Sequence, residues 1–168
     1  MVREILIGTI AGTIFGAIAS VAFGQTEITG PARVIDGDTI VINGTHIRLY
    51  GIDAVEHNQT CQGKDGMTYE CGRDATATLM ELIQGDPVTC SEMGKDRYSR
   101  TIGICRTERS GELNAAMVRR GWAVDYKAYD KKCRYCLDQA AAKADGLGIW
   151  SGRFEMPSDF RHHHNGLR

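Results

Sequence analysis

Two short runs, Thr39-Ile40-Val41-Ile42 and Thr45-His46-Ile47-Arg48-Leu49, carry apolar residues at strand spacing and flank Asn43-Gly44. This pattern predicts a β-hairpin, because Asn-Gly is the two-residue loop whose twist matches that of paired strands. A two-residue loop also fixes register. Residue 42 should oppose 45 and residue 39 should oppose 48, which puts Arg48 beside Thr39 and within one residue of Asp38. Asp53 and Glu56 follow where the second strand ends, so acids and a guanidinium are expected to converge at one end of the hairpin.

Further along, residues 73–83 place Ala75, Leu79 and Leu82/Ile83 at helical spacing and stop at Gly85-Asp86-Pro87. Residues 87–90 and 101–105 read as strands. A short helix is expected over 113–120, between Gly111 and Gly121, and a longer Ala-rich one over 129–145, ended by Gly146-Leu147-Gly148. The tail after Pro157 is polar and reads as loose. Strands, a helix, two strands and two helices in that order fit a small antiparallel barrel with helices packed at one side. There is no internal repeat and no low-complexity linker.

At the N-terminus, residues 5–23 carry no charge, Arg3 precedes them, and Ser20, Ala22 and Gly24 are small. A secretory signal cleaved after Ala22 or Gly24 is the preferred reading. An uncleaved membrane anchor is the alternative, since the stretch approaches spanning length and Gly8, Gly12 and Gly16 have small-xxx-small spacing. Either way the domain is expected outside the cytoplasm, periplasmic, secreted or tethered. The organisation is then a leader over 1–24, one domain over 25–160 and a polar tail over 161–168.

With 168 residues, 42% hydrophobic and 24% charged, the chain suffices for one domain with a real core. Its formal net charge of -1 excludes a global positive field, so any phosphate binding must be local. Removing a leader that contains Arg3 and Glu4 leaves that charge unchanged.

Six cysteines in an exported chain point to disulfides, with 15 connectivities open. Cys61 and Cys71 bracket a Gly-containing loop, and Cys90 and Cys105 each end an apolar run, as expected of neighbouring strands. Cys133-Arg134-Tyr135-Cys136 is left over: a third structural disulfide, two free thiols, or a redox or metal pair. Thioredoxin-like surroundings are absent, and no second C-x-x-C completes a zinc site.

The ordered motifs Asp36-Gly37-Asp38-Thr39, Arg48-Leu49-Tyr50-Gly51-Ile52-Asp53-Ala54-Val55-Glu56 and Asp96-Arg97-Tyr98-Ser99-Arg100 resemble the staphylococcal-nuclease-like (thermonuclease) family. Its pattern is a D-G-D-T strand, an R-L-x-G-I-D-x-P-E strand and a D-R/K-Y-G-R turn. Leu113-Asn114, Met117 to Ala123 and Gly148-Ile149-Trp150 agree, and the resemblance covers roughly residues 32–160. It implies an α+β, mainly β fold, a five-stranded OB-type β-barrel with three packed α-helices. It also implies a Ca2+ site of Asp38, Asp53 and the Ala54 carbonyl, hard oxygen donors that suit calcium. Glu56 takes the place of the residue that orients or deprotonates the attacking water. Arg48 and Arg100 match the two guanidiniums that grip the scissile phosphate, as planar forks that stay charged. Arg97 and Tyr98 fall where the family contacts a terminal phosphate, and Tyr126 and Tyr129 lie near its base-stacking tyrosines. Asp36 matches a turn or outer-shell position.

Two departures stand out. Val55 replaces the usual proline, which would restrain the loop before Glu56, and Ala54 stands where Thr is common, a change that a carbonyl ligand tolerates.

The implied activity is a monomeric, Ca2+-dependent nuclease acting on DNA and possible RNA substrates, with water attacking phosphorus and 3'-phosphate ends left behind. A catalytically silent nucleic-acid-binding module on the same barrel is the alternative. The presence of Asp38, Arg48, Asp53, Glu56 and Arg100 together favours the enzyme. An extracellular protein-interaction domain is a distant third. His57 reads as an exposed loop imidazole, and His162, His163 and His164 as part of a disordered tail.

Overall fold

The computed structural model of the chain describes residues 26–128 and 131–165; the leader segment and Tyr129 lie outside the described residues. Two short strands, β1 (Glu27–Gly30) and β2 (Ala32–Asp36), precede the hairpin of β3 (Thr39–Ile42) and β4 (Thr45–Leu49). The hairpin has the expected register, with Ile42 opposite Thr45 and Thr39 opposite Arg48. Asn43 and Gly44 sit at φ 49° and 79°, the left-handed pair that a type I′ turn requires. Ile47 and Leu49 of β4 enter the core while Arg48, also buried, projects from the opposite face.

The chain continues through β5 (Ile52–Ala54), the small β6 (Cys61–Gln62) and β7 (Thr68–Tyr69) pair, and α1 (Cys71–Ile83). Helix α1 buries Cys71, Ala75, Leu79, Leu82 and Ile83, the i, i+4 stripe read from the sequence, and ends on Gln84 in the left-handed conformation. Strands β8 (Val88–Lys95), β9 (Thr101–Thr107) and β10 (Gly111–Glu112), helix α2 (Leu113–Arg119) and β11 (Ala123–Asp125) complete the body. Then come α3 (Cys136–Ala144), a 3₁₀ turn (Gly148–Ser151) and α4 (Pro157–Asn165).

The main sheet has seven strands in the order β1-β8-β9-β4-β3-β2, with β10 beside β9; β11 pairs with β5 separately. The mixed, mainly β fold class therefore holds. One ladder departs from an antiparallel barrel, because β4 and β9 run parallel. Parallel neighbours need a long crossover, and residues 50–100, which include α1 and β8, supply it. One core fills the inside: Ile40, Ile42, Ile47 and Leu49 from the hairpin, Leu79 from α1, Leu113 and Met117 from α2, and Ile149. Each such side chain contributes about 1.5–3 kcal/mol when fully buried. Asn114, fully buried, ties α2 to the sheet: its carbonyl oxygen accepts from Cys105 N at 3.0 Å and its amide donates to Tyr50 O at 2.9 Å.

The cysteines pair as Cys61–Cys71, Cys90–Cys105 and Cys133–Cys136. Cys90 and Cys105 are direct cross-strand partners. Two expectations need correction. The long helix over 129–145 is α3 alone, starting at Cys136, because Cys133 lies at φ 60°, a left-handed conformation that a helix cannot contain. The loose tail is also wrong: the described residues form four helices rather than three, and the 160/161 boundary runs through α4. No apolar periodicity announces this helix. Its signals are end effects, Pro157 in the first turn, Asp159 near the N-terminus, and His162, His163 and His164 near the C-terminus.

Candidate active site

The Asp36-Gly37-Asp38-Thr39 segment is a bulged turn between β2 and β3, with the register shifting between Val34 and Asp36. Asp36 caps it by accepting the Asp38 amide at 3.0 Å. Gly37 is required sterically, because a Cβ there would lie 2.7 Å from the Ala54 Cβ. That close approach brings the turn onto β5. The Asp38 carboxylate, buried, accepts the Ala54 amide at 3.0 Å through one oxygen and Arg48 Nη1 at 2.8 Å through the other. Arg48 Nη2 donates to Asp53 Oδ1 at 2.6 Å, so a single guanidinium joins the two carboxylates.

Glu56 lies on the loop after β5. Its amide donates to Gln59 Oε1 at 3.1 Å, and Gln59, itself buried, donates through Nε2 to the Glu155 carbonyl at 2.7 Å. Gly72 in the first turn of α1 packs directly behind this loop. A Cβ on it would lie 1.8 Å from the Glu56 carbonyl oxygen. From α4, Arg161 reaches into the same place: Nη1 bridges Asp53 Oδ1 at 2.8 Å and Glu56 Oε1 at 2.7 Å, and Nη2 donates to Asp53 Oδ2 at 2.9 Å.

The opposite wall is the turn between β8 and β9. Asp96 Oδ1 accepts the amides of Tyr98 and Arg100 at 2.8 and 2.9 Å, while Oδ2 takes Arg100 Nε at 2.6 Å. Arg100 is thus held by its Nε edge. The Arg97 guanidinium lies over the Tyr98 ring at 4.8 Å, and Tyr98 is 66% exposed. A cleft of about 1070 Å³ joins Asp36, Arg48 and Glu56 to Arg97, Tyr98, Arg100, Tyr126 and Arg161.

Four carboxylates, Asp36, Asp38, Asp53 and Glu56, face two guanidiniums, Arg48 and Arg161. Burial, and then the charge of Asp38, pushes the Asp36 carboxyl up to about 7. Burial also raises Asp53 despite its hydrogen bonds to Arg161 and its pairing with Arg48. Burial disfavours the charged form of Arg48 too, but Asp38 and Asp53 outweigh it and hold Arg48 protonated; Asp53 and Glu56 do the same for Arg161. Adjoining carboxylate oxygens are the donor chemistry of a hard divalent cation, and Asp38 and Asp53, joined by one guanidinium, are residues that could hold one. Ala54, beside them in β5, is buried.

Of the residues singled out in the sequence, Asp38, Arg48, Asp53, Ala54 and Glu56 come together, and Arg97, Tyr98, Arg100 and Tyr126 line the same cleft. Both terminal nitrogens of Arg48 are engaged by carboxylates. His57 is exposed, with Nδ1 3.3 Å from the Thr76 hydroxyl. Sequence reasoning missed Gln59 and Arg161. Gln59 could have been suspected from its place three residues after Glu56; nothing local marks Arg161.

Comparison with known proteins places the sequence in a family. The family described as staphylococcal nuclease homologue matches residues 46–152, a span that starts after Asp38. The succinoglycan biosynthesis protein ExoI of Rhizobium meliloti (strain 1021) is 37% identical over 129 residues, covering 76% of this chain and 67% of that protein. An uncharacterized endonuclease of Haemophilus influenzae is 30% identical over 135 residues, covering 77% of this chain and 70% of its own. Another, of Escherichia coli O157:H7, is 32% identical over 129 residues, covering 74% and 78%. On the matched span, the shared sequence and the mainly β fold, the chain belongs to the staphylococcal nuclease homologue family.

Proposed function

We propose that this chain is an exported, Ca2+-dependent nuclease that hydrolyses phosphodiester bonds of DNA, with RNA as a second substrate. The observation that carries the reading is the Arg48 bridge between Asp38 and Asp53, opening into one cleft with Glu56 and Arg100. Family membership and relatives named endonucleases support the nuclease class. Asp38, Asp53 and the Ala54 carbonyl would hold the ion, which when bound supplies Lewis-acid polarisation of a phosphoryl oxygen.

The chain's own residues do the rest. Glu56 orients a water and takes its proton as the water oxygen bonds to phosphorus, and the bond to the departing 5'-oxygen breaks; that oxygen takes a proton from solvent and leaves as the alcohol, and a 3'-phosphate remains. Arg48 and Arg100 donate to the phosphoryl oxygens, where negative charge grows in the transition state. Arg97 and Tyr98 contact a terminal phosphate, and Tyr126 offers a face on which a single-stranded base stacks without sequence preference. Export is supported by the uncharged stretch at 5–23 and the three cysteine pairs.

The test is cleavage of single-stranded DNA and RNA by the purified oxidised protein, with Ca2+ or with chelator. Activity should vanish on chelation and return with Ca2+, while Mg2+, which keeps its waters and demands tight octahedral geometry, should substitute poorly. Full activity in chelator would overturn the metal assignment. Binding of single strands in Ca2+ without cleavage would favour the silent module. Sequencing the mature N-terminus decides between cleavage, with a start at Phe23 or Gln25, and an anchor, with Met1 intact.

A further inference from the structure

We infer that Arg161 is a built-in competitor of the divalent cation, and that α4 is an autoinhibitory latch which the ion must open. The inference rests on the Ca2+ site proposed above. Its basis is an overlap of lone pairs. Arg161 covers both oxygens of Asp53 and Oε1 of Glu56, through contacts of 2.7 to 2.9 Å. A cation on Asp53 needs those same oxygens, and a water on Glu56 Oε1 competes with Arg161 too. The Asp53 side chain is 1% exposed, so a ligand cannot approach it from another side without moving a partner. Arg48 remains on Asp53 when Arg161 leaves, so opening does not strand a bare buried charge.

The element that carries Arg161 is built to let go. Helix α4 has nine residues, too few to be stable by itself in water. Among its described side chains only Pro157 is buried. The segment before it is fixed to the body by backbone hydrogen bonds of 2.9 Å in both directions between Gln62 and Arg153, and by the Gln59 bond to the Glu155 carbonyl. A firm root and a weakly packed helix make a hinge near residues 155–157. Closed, α4 also brings Ser158 and His162 to the cleft wall, so one motion changes both the carboxylates and the substrate path.

Competition has a definite signature. A latch closed about nine-tenths of the time weakens apparent ion affinity about tenfold. The test is calorimetric titration of Ca2+ into the full chain, without nucleic acid, for the wild type, Arg161→Ala and Arg161→Lys. Arg161→Ala should bind about tenfold more tightly, with Arg161→Lys between, since lysine keeps the charge but loses the two-nitrogen hold. Hydrogen exchange on the wild type gives a readout that needs no variant: Ca2+ should speed amide exchange in residues 158–165. An unchanged or weaker Ca2+ affinity in Arg161→Ala overturns the latch, as does protection of α4 that Ca2+ leaves untouched. The nuclease reading fails separately. Equal Ca2+ affinities with intact Ca2+-dependent cleavage sink the latch alone, whereas absence of cleavage in every variant sinks the nuclease reading while calorimetry still reads the latch.

Discussion

Asp96 and Arg100 form the most informative pair of side chains on the cleft wall. Arg100 donates through Nε to a carboxylate that is 1% exposed and already accepts two amides, so the fork is aimed before substrate arrives. Arg100→Lys keeps a charge but cannot hold Asp96 and grip two phosphoryl oxygens together. Turnover should fall about 100- to 1000-fold, as when one preorganised donor is lost. Single-strand affinity should change far less, because a contact made chiefly in the transition state acts on kcat. Unchanged turnover would deny Arg100 a catalytic role.

Asp96 itself sets a pH dependence. Burial pushes its carboxyl up, but the Arg100 side chain and the amides of Arg100 and Tyr98 outweigh it and hold the group below the ordinary carboxylate range. A folded pKa below the unfolded value of about 3.9 means stability that is present above about pH 4 and lost as the pH falls through the folded value. Asp96→Asn should therefore cost about 1–3 kcal/mol at neutral pH, with the difference from wild type closing in acid. Melting curves from neutral into acid pH check it; a gap that does not narrow as the pH falls would show the loss is steric rather than ionic.

The loop bearing Glu56 depends on the helix behind it. The sequence departs here from the family's proline, with Val55, yet the loop is held by other means: Gln59 takes the Glu56 amide, Cys61–Cys71 joins β6 to the first residue of α1, and Gly72 lets the helix touch the loop backbone. Overpacking at that contact should be felt at both ends. Gly72→Ala is expected to destabilise by about 1–3 kcal/mol and to lower turnover by shifting Glu56. Melting and cleavage measured together decide it, and a variant that melts lower with full turnover would show that Glu56 is positioned independently of α1. The hairpin shows the opposite case, an element whose register follows from its own two-residue turn.

At the level of the molecule, a net charge of -1 leaves nucleic acid binding to the cations around the cleft. Lys95, Arg97 and Arg100 line it together. Three phosphate contacts on a single strand predict a salt slope of about -2 in log affinity against log salt. Titrations with Glu56→Gln, to prevent cleavage, should give that modest value; a slope several times steeper would mean a wider basic footprint than the cleft.

The hairpin, the α1 stripe and the convergence of Asp38, Arg48 and Asp53 were legible in the chain because each depends on short-range rules: turn type, a period of two or 3.6, and neighbours within about fifteen residues. The order of the motifs carried Glu56 and Arg100 into the same reading. The parallel β4–β9 ladder, the Gln59 link and α4 were not legible. They arise from contacts between distant segments, and the Arg161 pairing with Glu56 joins residues 105 positions apart. A polar helix with no apolar stripe shows no periodic signal, since its place is set by the buried Asp53 and the half-buried Glu56 elsewhere in the fold rather than by a face of its own.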